Sequence, residues 1–305
     1  MAEGYRRTME KREQMRGVAL TIIGGIFWGL AGVFGQYLFQ EKQLEAPWMV
    51  SIRLVSAGVI LLFTVYLKQG VQMFAIWKNL KDALHILLFG VLGMAACQLS
   101  YYVTVAESNA GTATVIQYTA PIMIMVYLAV RNRKMPGKGE MAALVLAVAG
   151  TVLLATHGNI TSLAISQKTL IWGLASAVAM MLYNLIPGQL MNKYGTFSVI
   201  GWGMLIGGIF LCLFTKPLDV PGVWDYQTVL ALLVVVLVGT ILSFGTYMEG
   251  VRLIGAARAS LFASVEPLTA TIATVAWMKV EFLPIDLLGF ICIIGAVVLL
   301  SCMKK

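Results

Sequence analysis

The sequence predicts an all-α integral membrane protein, with ten transmembrane helices arranged as two five-helix repeats of inverted topology. Three observations lead there. Of the 305 residues, 59% are apolar and 12% charged, against about 25% charged in an average soluble domain. Ten apolar runs fill the chain, each near the length of about 20 residues that a bilayer crossing needs. The chain also matches itself when slid by 146 residues.

The elements follow in order, with charged or turn residues marking each boundary. A basic tail, 1–16, carries Arg6, Arg7, Lys11, Arg12 and Arg16. The apolar stretch behind it is too long for a cleaved leader and has no small-residue cleavage site, so it reads as the first span, 17–38. Lys42 divides it from the second span, 46–67, and Lys68, Lys78 and Lys81 precede the third, 83–105. The fourth, 110–130, stops at Arg131, Arg133 and Lys134. Lys138 introduces the fifth, 140–156, which is at the lower limit of length. Lys168 opens the sixth, 168–188, and Lys193 precedes the seventh, 197–215. Lys216 precedes the eighth, 227–250. Arg252 and Arg258 flank the start of the ninth, 256–278, and Lys279 precedes the tenth, 284–302. No alternation of polar and apolar residues suggests a β-barrel.

The same charges orient the chain. With the N-terminus in the cytoplasm, seventeen of the 22 Lys and Arg residues fall inside, including Lys304 and Lys305. Lys42, Lys168, Lys216 and Lys279 fall outside, and Arg53 lies within a span. This bias fits an even number of spans with both termini cytoplasmic. It also explains the net charge of +8 without nucleic acid, because the cations are scattered among apolar segments rather than gathered on one patch. Cys97, Cys212, Cys292 and Cys302 show no metal-ligand spacing and read as small buried hydrophobes. The sequence indicates neither a cofactor nor a metal.

At the 146-residue offset, Gly93 meets Gly239, Tyr101 meets Tyr247, Ala113 meets Ala259 and Pro121 meets Pro267. Each half, 17–156 and 168–302, then holds five spans. Five is odd, so the second half enters the membrane from the opposite side. Such an arrangement places a site near the midplane between halves that rock against it.

Half one reads Gln117-Tyr-Thr-Ala-Pro121, then Met135-Pro, and closes on Ala149-Gly-Thr-Val-Leu-Leu154. Half two reads Val265-Glu266-Pro267-Leu, then Val280-Glu281 and Ile294-Gly-Ala-Val-Val-Leu-Leu300. With Trp28-Gly29 and Arg53, these segments resemble the drug/metabolite transporter superfamily, in its ten-span EamA-type branch, over essentially the whole chain. The resemblance implies a secondary transporter of a bacterial-type cytoplasmic (inner) membrane, commonly an exporter of amino acids or other small metabolites. The family often ends the fourth span of each half with Gly-Glu. Glu281 supplies that acid in half two, whereas half one has Arg131-Asn-Arg-Lys134.

Glu266 is the leading coupling candidate. It lies ten residues into the ninth span, about 15 Å deep, where a charge costs on the order of 2.5–3.5 kcal/mol. Hydrocarbon disfavours its charged form, so it is suited to carry and trade a proton. Pro267 withholds a backbone donor and frees a carbonyl near Ala263, which makes it a hinge, and Pro121 is its counterpart. Gln117 and Tyr118 precede Pro121 and offer amide and phenol groups to a substrate. Arg53 has three readings: a ligand for a substrate carboxylate, a structural ion pair with an acid such as Glu266, or a side chain snorkelling to phospholipid. Trp28, Tyr101 and Tyr247 are expected to line the pocket. Tyr102, Tyr183, Asn184 and Trp202 complete the aromatic and amide set.

No nucleotide-binding or hydrolytic motif is present, so neither an ATP-driven pump nor an enzyme is expected. The leading expectation is a secondary transporter that exports amino acids or related zwitterions by alternating access, with proton coupling through Glu266. Its partners would be a small-molecule substrate and membrane lipid. A lipid or lipid-linked sugar flippase would instead need a lateral opening. A receptor or scaffold would show a sealed, dry core with no polar cavity near Pro121 and Pro267.

Overall fold

The computed structural model describes residues 2–108, 110–159, 161, 166–278 and 283–303. Lys279, Glu281, Lys304 and Lys305 lie outside the described residues. Helices dominate, and no strand occurs among the described residues. Among the described residues, seven helical stretches are long and apolar enough to cross a membrane, and two further apolar helices are shorter.

Helix α1 runs from Ala2 to Gln40. It therefore takes in the basic tail expected to precede the first span, because Lys, Arg, Glu and Met favour helix as readily as the apolar residues that follow. Helix α2 spans Ala46–Gln69. A tight 3₁₀ segment, Gly70–Lys78, then lies before α3, Leu80–Leu88. The rod continues through a π-helical turn, Phe89–Ala95, into α4, Ala96–Glu107. Next come α5, Ala110–Gln117, and α6, Ala120–Asn132, then α7, Lys138–Thr156. Helix α8, Gln167–Leu185, stops before Pro187 and passes into the short α9, Gly188–Tyr194. Helix α10 is Thr196–Cys212. Helix α11, Tyr226–Val236, joins α12, Ser243–Ile254, through a second π-helical turn, Leu237–Leu242. The chain ends in α13, Ala256–Phe262, α14, Val265–Met278, and α15, Pro284–Cys302.

Two of the stretches read as continuous in the sequence are interrupted. The fourth breaks at Tyr118–Thr119, between α5 and α6, and the ninth at Ala263–Ser264, between α13 and α14. In each case a proline follows in the first turn of the second segment, Pro121 in α6 and Pro267 in α14. Proline at that position forfeits no helical hydrogen bond of its own and suits a new helix start better than a helix interior.

The packing repeats at the same offset. α2 lies along α10, and α7 along α15. α1 packs on α12 and α14, while α8 packs on α4, α5 and α6. Capping acids match as well. Glu140 accepts from the Gly137 amide at 3.1 Å, and Asp286 accepts from the Leu283 amide at 2.8 Å. Each acid satisfies one of the orphan donors at its helix start.

Candidate functional site

The two helix breaks meet. The Tyr118 hydroxyl donates to the Ala263 carbonyl at 2.7 Å, so the break in half one is bonded directly to the break in half two. That carbonyl also accepts from the Glu266 amide at 2.9 Å. The sequence predicts a freed carbonyl here, and the structure gives it two donors.

Beside this junction lies a central cavity. Half one supplies Trp28 from α1, Arg53 from α2, Cys97, Gln98, Tyr101 and Tyr102 from α4, and Gln117 from α5. Half two supplies Met180 and Tyr183 from α8, Phe244 from α12 and Glu266 from α14. The cavity volume is about 30 Å³, because side chains crowd the space. That is room for one or two waters. In this conformation the site is contracted, and a metabolite needs side chains to move apart.

Of the expected site residues, Trp28, Arg53, Tyr101, Gln117 and Glu266 converge on this cavity. Tyr118 and Tyr247 stand behind its wall. Tyr118 is spent on Ala263, and the Tyr247 hydroxyl donates to Asn184 Oδ1 at 2.7 Å. Tyr247 supports the wall instead, with its ring 4.7 Å from that of Trp28. Pro121 and Pro267 shape the breaks rather than line the space. Gln98, Cys97, Met180 and Phe244 were not singled out in the sequence. Gln98 and Phe244 do occupy matched positions at the 146-residue offset, and that pairing was the available signal.

Arg53 is 1% exposed, which removes the snorkelling reading. Its guanidinium donates through Nη2 to Gln98 Oε1 and faces the Tyr102 ring, 4.5 Å from its centre. It makes no ion pair with Glu266 within 4.0 Å. Gln117 donates to the Ser176 hydroxyl at 2.5 Å. The Tyr101 hydroxyl shares a hydrogen bond with Thr114 at 3.1 Å. Gly29 lets α1 approach α14 closely. A methyl group there would stand 2.5 Å from the Glu266 carbonyl oxygen and 2.9 Å from the Ala270 amide nitrogen.

Paired contacts lie toward both ends of the bundle. On the predicted outer side, Lys42 pairs with Asp225 at 2.6 Å, and the Trp48 and Trp224 rings meet at 5.8 Å. On the predicted inner side, Lys193 pairs with Asp82 at 2.6 Å, and the Trp77 and Trp202 rings meet at 5.2 Å. All four contacts join one half to the other. Asp225 is held down to about 2, chiefly by the Lys42 ammonium and then by Thr228. Glu249 and Arg252, three residues apart, form an ion pair at 2.6 Å. A wider crevice flanked by Gln36, Phe39, Glu45, Glu107 and Trp172 lies on the predicted outer side. Between it and the central cavity stands Tyr102, whose ring meets Phe39 edge-on at 5.7 Å.

Comparison with known proteins agrees with this architecture. The profile of the EamA-like transporter family matches residues 15–156 and 167–302. An uncharacterized inner membrane transporter of Salmonella typhimurium, YicL, is 37% identical over 286 residues, covering 94% of this chain and 95% of that protein. A WAT1-related chloroplastic protein of Arabidopsis thaliana, At3g02690, is 25% identical, covering 90% of this chain and 67% of that protein. One solved crystal structure superimposes with a TM-score of 0.75 at 15% identity, over 93% of this chain and 95% of that one, a likeness of fold alone.

Proposed function

The chain belongs to the EamA-like transporter family, and from that premise we propose that it exports a small metabolite, an amino acid or related zwitterion, across a bacterial-type inner membrane. The mechanism is alternating access between two five-helix halves of opposite orientation, 17–156 and 168–302, with ten crossings and both termini cytoplasmic. Glu266 is the proton-coupling group, and Trp28, Tyr101 and Gln117 contact the substrate.

The observation that carries this reading is the bonded pair of helix breaks beside a central cavity to which both halves contribute. Broken helices occur at membrane depth where they are buried in protein or line a cavity, and transporter sites are built at such breaks. Further support comes from the matched π-helical turns and from the ion and tryptophan pairs at both ends. If the halves rock, one set of end contacts separates while the other holds. A narrow central cavity, with the halves joined by contacts at both ends, fits an intermediate between the two open states.

The test is reconstitution of the purified protein in liposomes. Zwitterionic solutes are expected to move down an imposed gradient, with rates that depend on pH. A protein that moves fluorescent phospholipid and no soluble metabolite is a flippase instead.

A further inference from the structure

We infer that Arg53 is the receptor for a carboxylate on the transported solute, an inference that rests on the central cavity being the transport site. The starting point is an imbalance. Among the described residues, four buried side-chain nitrogen and oxygen atoms lack a hydrogen-bond partner: Arg53 Nε, Arg53 Nη1, the Tyr183 hydroxyl and the Ser264 hydroxyl. Three of the four belong to residues of one cavity wall. Buried polar groups are nearly always satisfied, so a cluster of exceptions calls for a missing partner.

The missing partner is an anion. A guanidinium does not shed its proton inside a protein, so Arg53 cannot escape burial by becoming neutral, as a lysine or a glutamate can. A buried charge without a counter-charge is expensive. Gln98 offers Arg53 a neutral oxygen, and Tyr102 offers a ring face; neither cancels the charge. The cavity's own acid, Glu266, is not within ion-pair distance. The Tyr102 ring and the bond to Gln98 hold the guanidinium in place and leave two of its nitrogens unpartnered.

The rest of the wall limits the ligand. Trp28, Tyr101, Tyr183 and Phe244 present ring surface, and Tyr183 adds a free hydroxyl. The matching solute carries a carboxylate at one pole and a flat or apolar body. An ammonium is accommodated only on the Glu266 side. Sugars and simple cations lack the group that Arg53 requires.

The test uses full-length protein in liposomes and in detergent. The probes are phenylalanine, 3-phenylpropionate and benzoate, set against phenylalaninamide, phenethylamine, benzamide and phenyl phosphate. Uptake and ligand-induced melting shifts are expected to favour a carboxylate over its amide by about tenfold or more, the scale of a charge-assisted hydrogen bond. Arg53→Gln should erase that preference, and Arg53→Lys should restore part of it. A second readout needs no ligand. Arg53→Met should raise the melting temperature of the substrate-free protein, because an uncompensated charge is removed. Equal handling of acids and amides, a preference for phenyl phosphate, or a lower melting temperature in Arg53→Met overturns the assignment while leaving the transporter reading standing. Transport or binding of none of the seven probes overturns both.

Discussion

The interrupted helices α5–α6 and α13–α14 occupy matched places in the two halves, yet they carry different chemistry. At the 146-residue offset, Gln117-Tyr-Thr-Ala-Pro121 faces Ala263-Ser-Val-Glu266-Pro267. Only the proline is shared. Where half one has Gln117, half two has Ala263. Where half two has Glu266, half one has Ala120, fully buried. Tyr118 reaches across to the Ala263 carbonyl, and the position matched to Tyr118 is Ser264, whose hydroxyl meets nothing. A common backbone device has thus been divided into a hydrogen-bonding half and an acidic half. Close packing where the two breaks meet explains the division. Identical large groups would collide there, so a large side chain from one half needs a small one opposite.

The sharpest way to break this comparison is to make the two breaks alike. Ala120→Glu buries a second carboxylate without a cation, and is expected to cost about 3 kcal/mol or more. Melting in detergent would show it, and an unchanged melting temperature would mean that the two breaks are interchangeable. The glycines beneath the breaks give the next largest effect. Gly29 faces the α14 backbone, whereas Gly173 faces the side chain of Ile116, which would lie 2.7 Å from a methyl added there. Backbone cannot give way as a side chain can. Gly29→Ala should therefore cost about 2–3 kcal/mol and Gly173→Ala about 1 kcal/mol.

Glu266→Gln tests the acid directly. Transport is expected to fall about tenfold, equivalent to about 1.4 kcal/mol, and its pH dependence to flatten. A pH profile identical to that of the parent would remove Glu266 from proton coupling. Tyr118→Phe loses one hydrogen bond to a carbonyl that keeps a second donor, so about 1 kcal/mol of stability should go. A larger loss would mean that this bond, rather than the prolines, holds the breaks together.

The end contacts give the smallest effect. The Asp225 carboxyl ionises below its ordinary 3.8, at about 2. Its pair with Lys42 therefore contributes fully above about pH 4 and fades as pH falls toward 2. Asp225→Asn should narrow the stability difference between pH 5 and pH 2 only slightly, because the pair is exposed and salt-screened. It should leave the transport profile near neutral pH untouched. A shift there would move the proton-sensing group from Glu266 to the outer face.

Much of this was legible in the sequence because the governing pattern is coarse. Hydropathy marks the helical stretches, since a bilayer tolerates little else. The offset places Pro121 opposite Pro267 by counting alone. Five of the named site residues converge on the cavity because charged or large polar groups deep in apolar helices have few other uses. The misses share one cause. Tyr118 and Tyr247 do not line the cavity, and a hydropathy pattern without an amphipathic stripe does not report which way a side chain turns. Gln98 and Phe244 were overlooked for the same reason.

The chain alone therefore determined its helical class, its internal repetition and its supply of buried charge, because each depends on residue type and spacing along one dimension. Tertiary structure decided that the breaks are bonded to each other, that Arg53 stacks on Tyr102 instead of pairing with Glu266, and that the central space is contracted. Those facts depend on which faces of distant helices meet. Facing is set by close packing between segments some 146 residues apart, which no local pattern encodes.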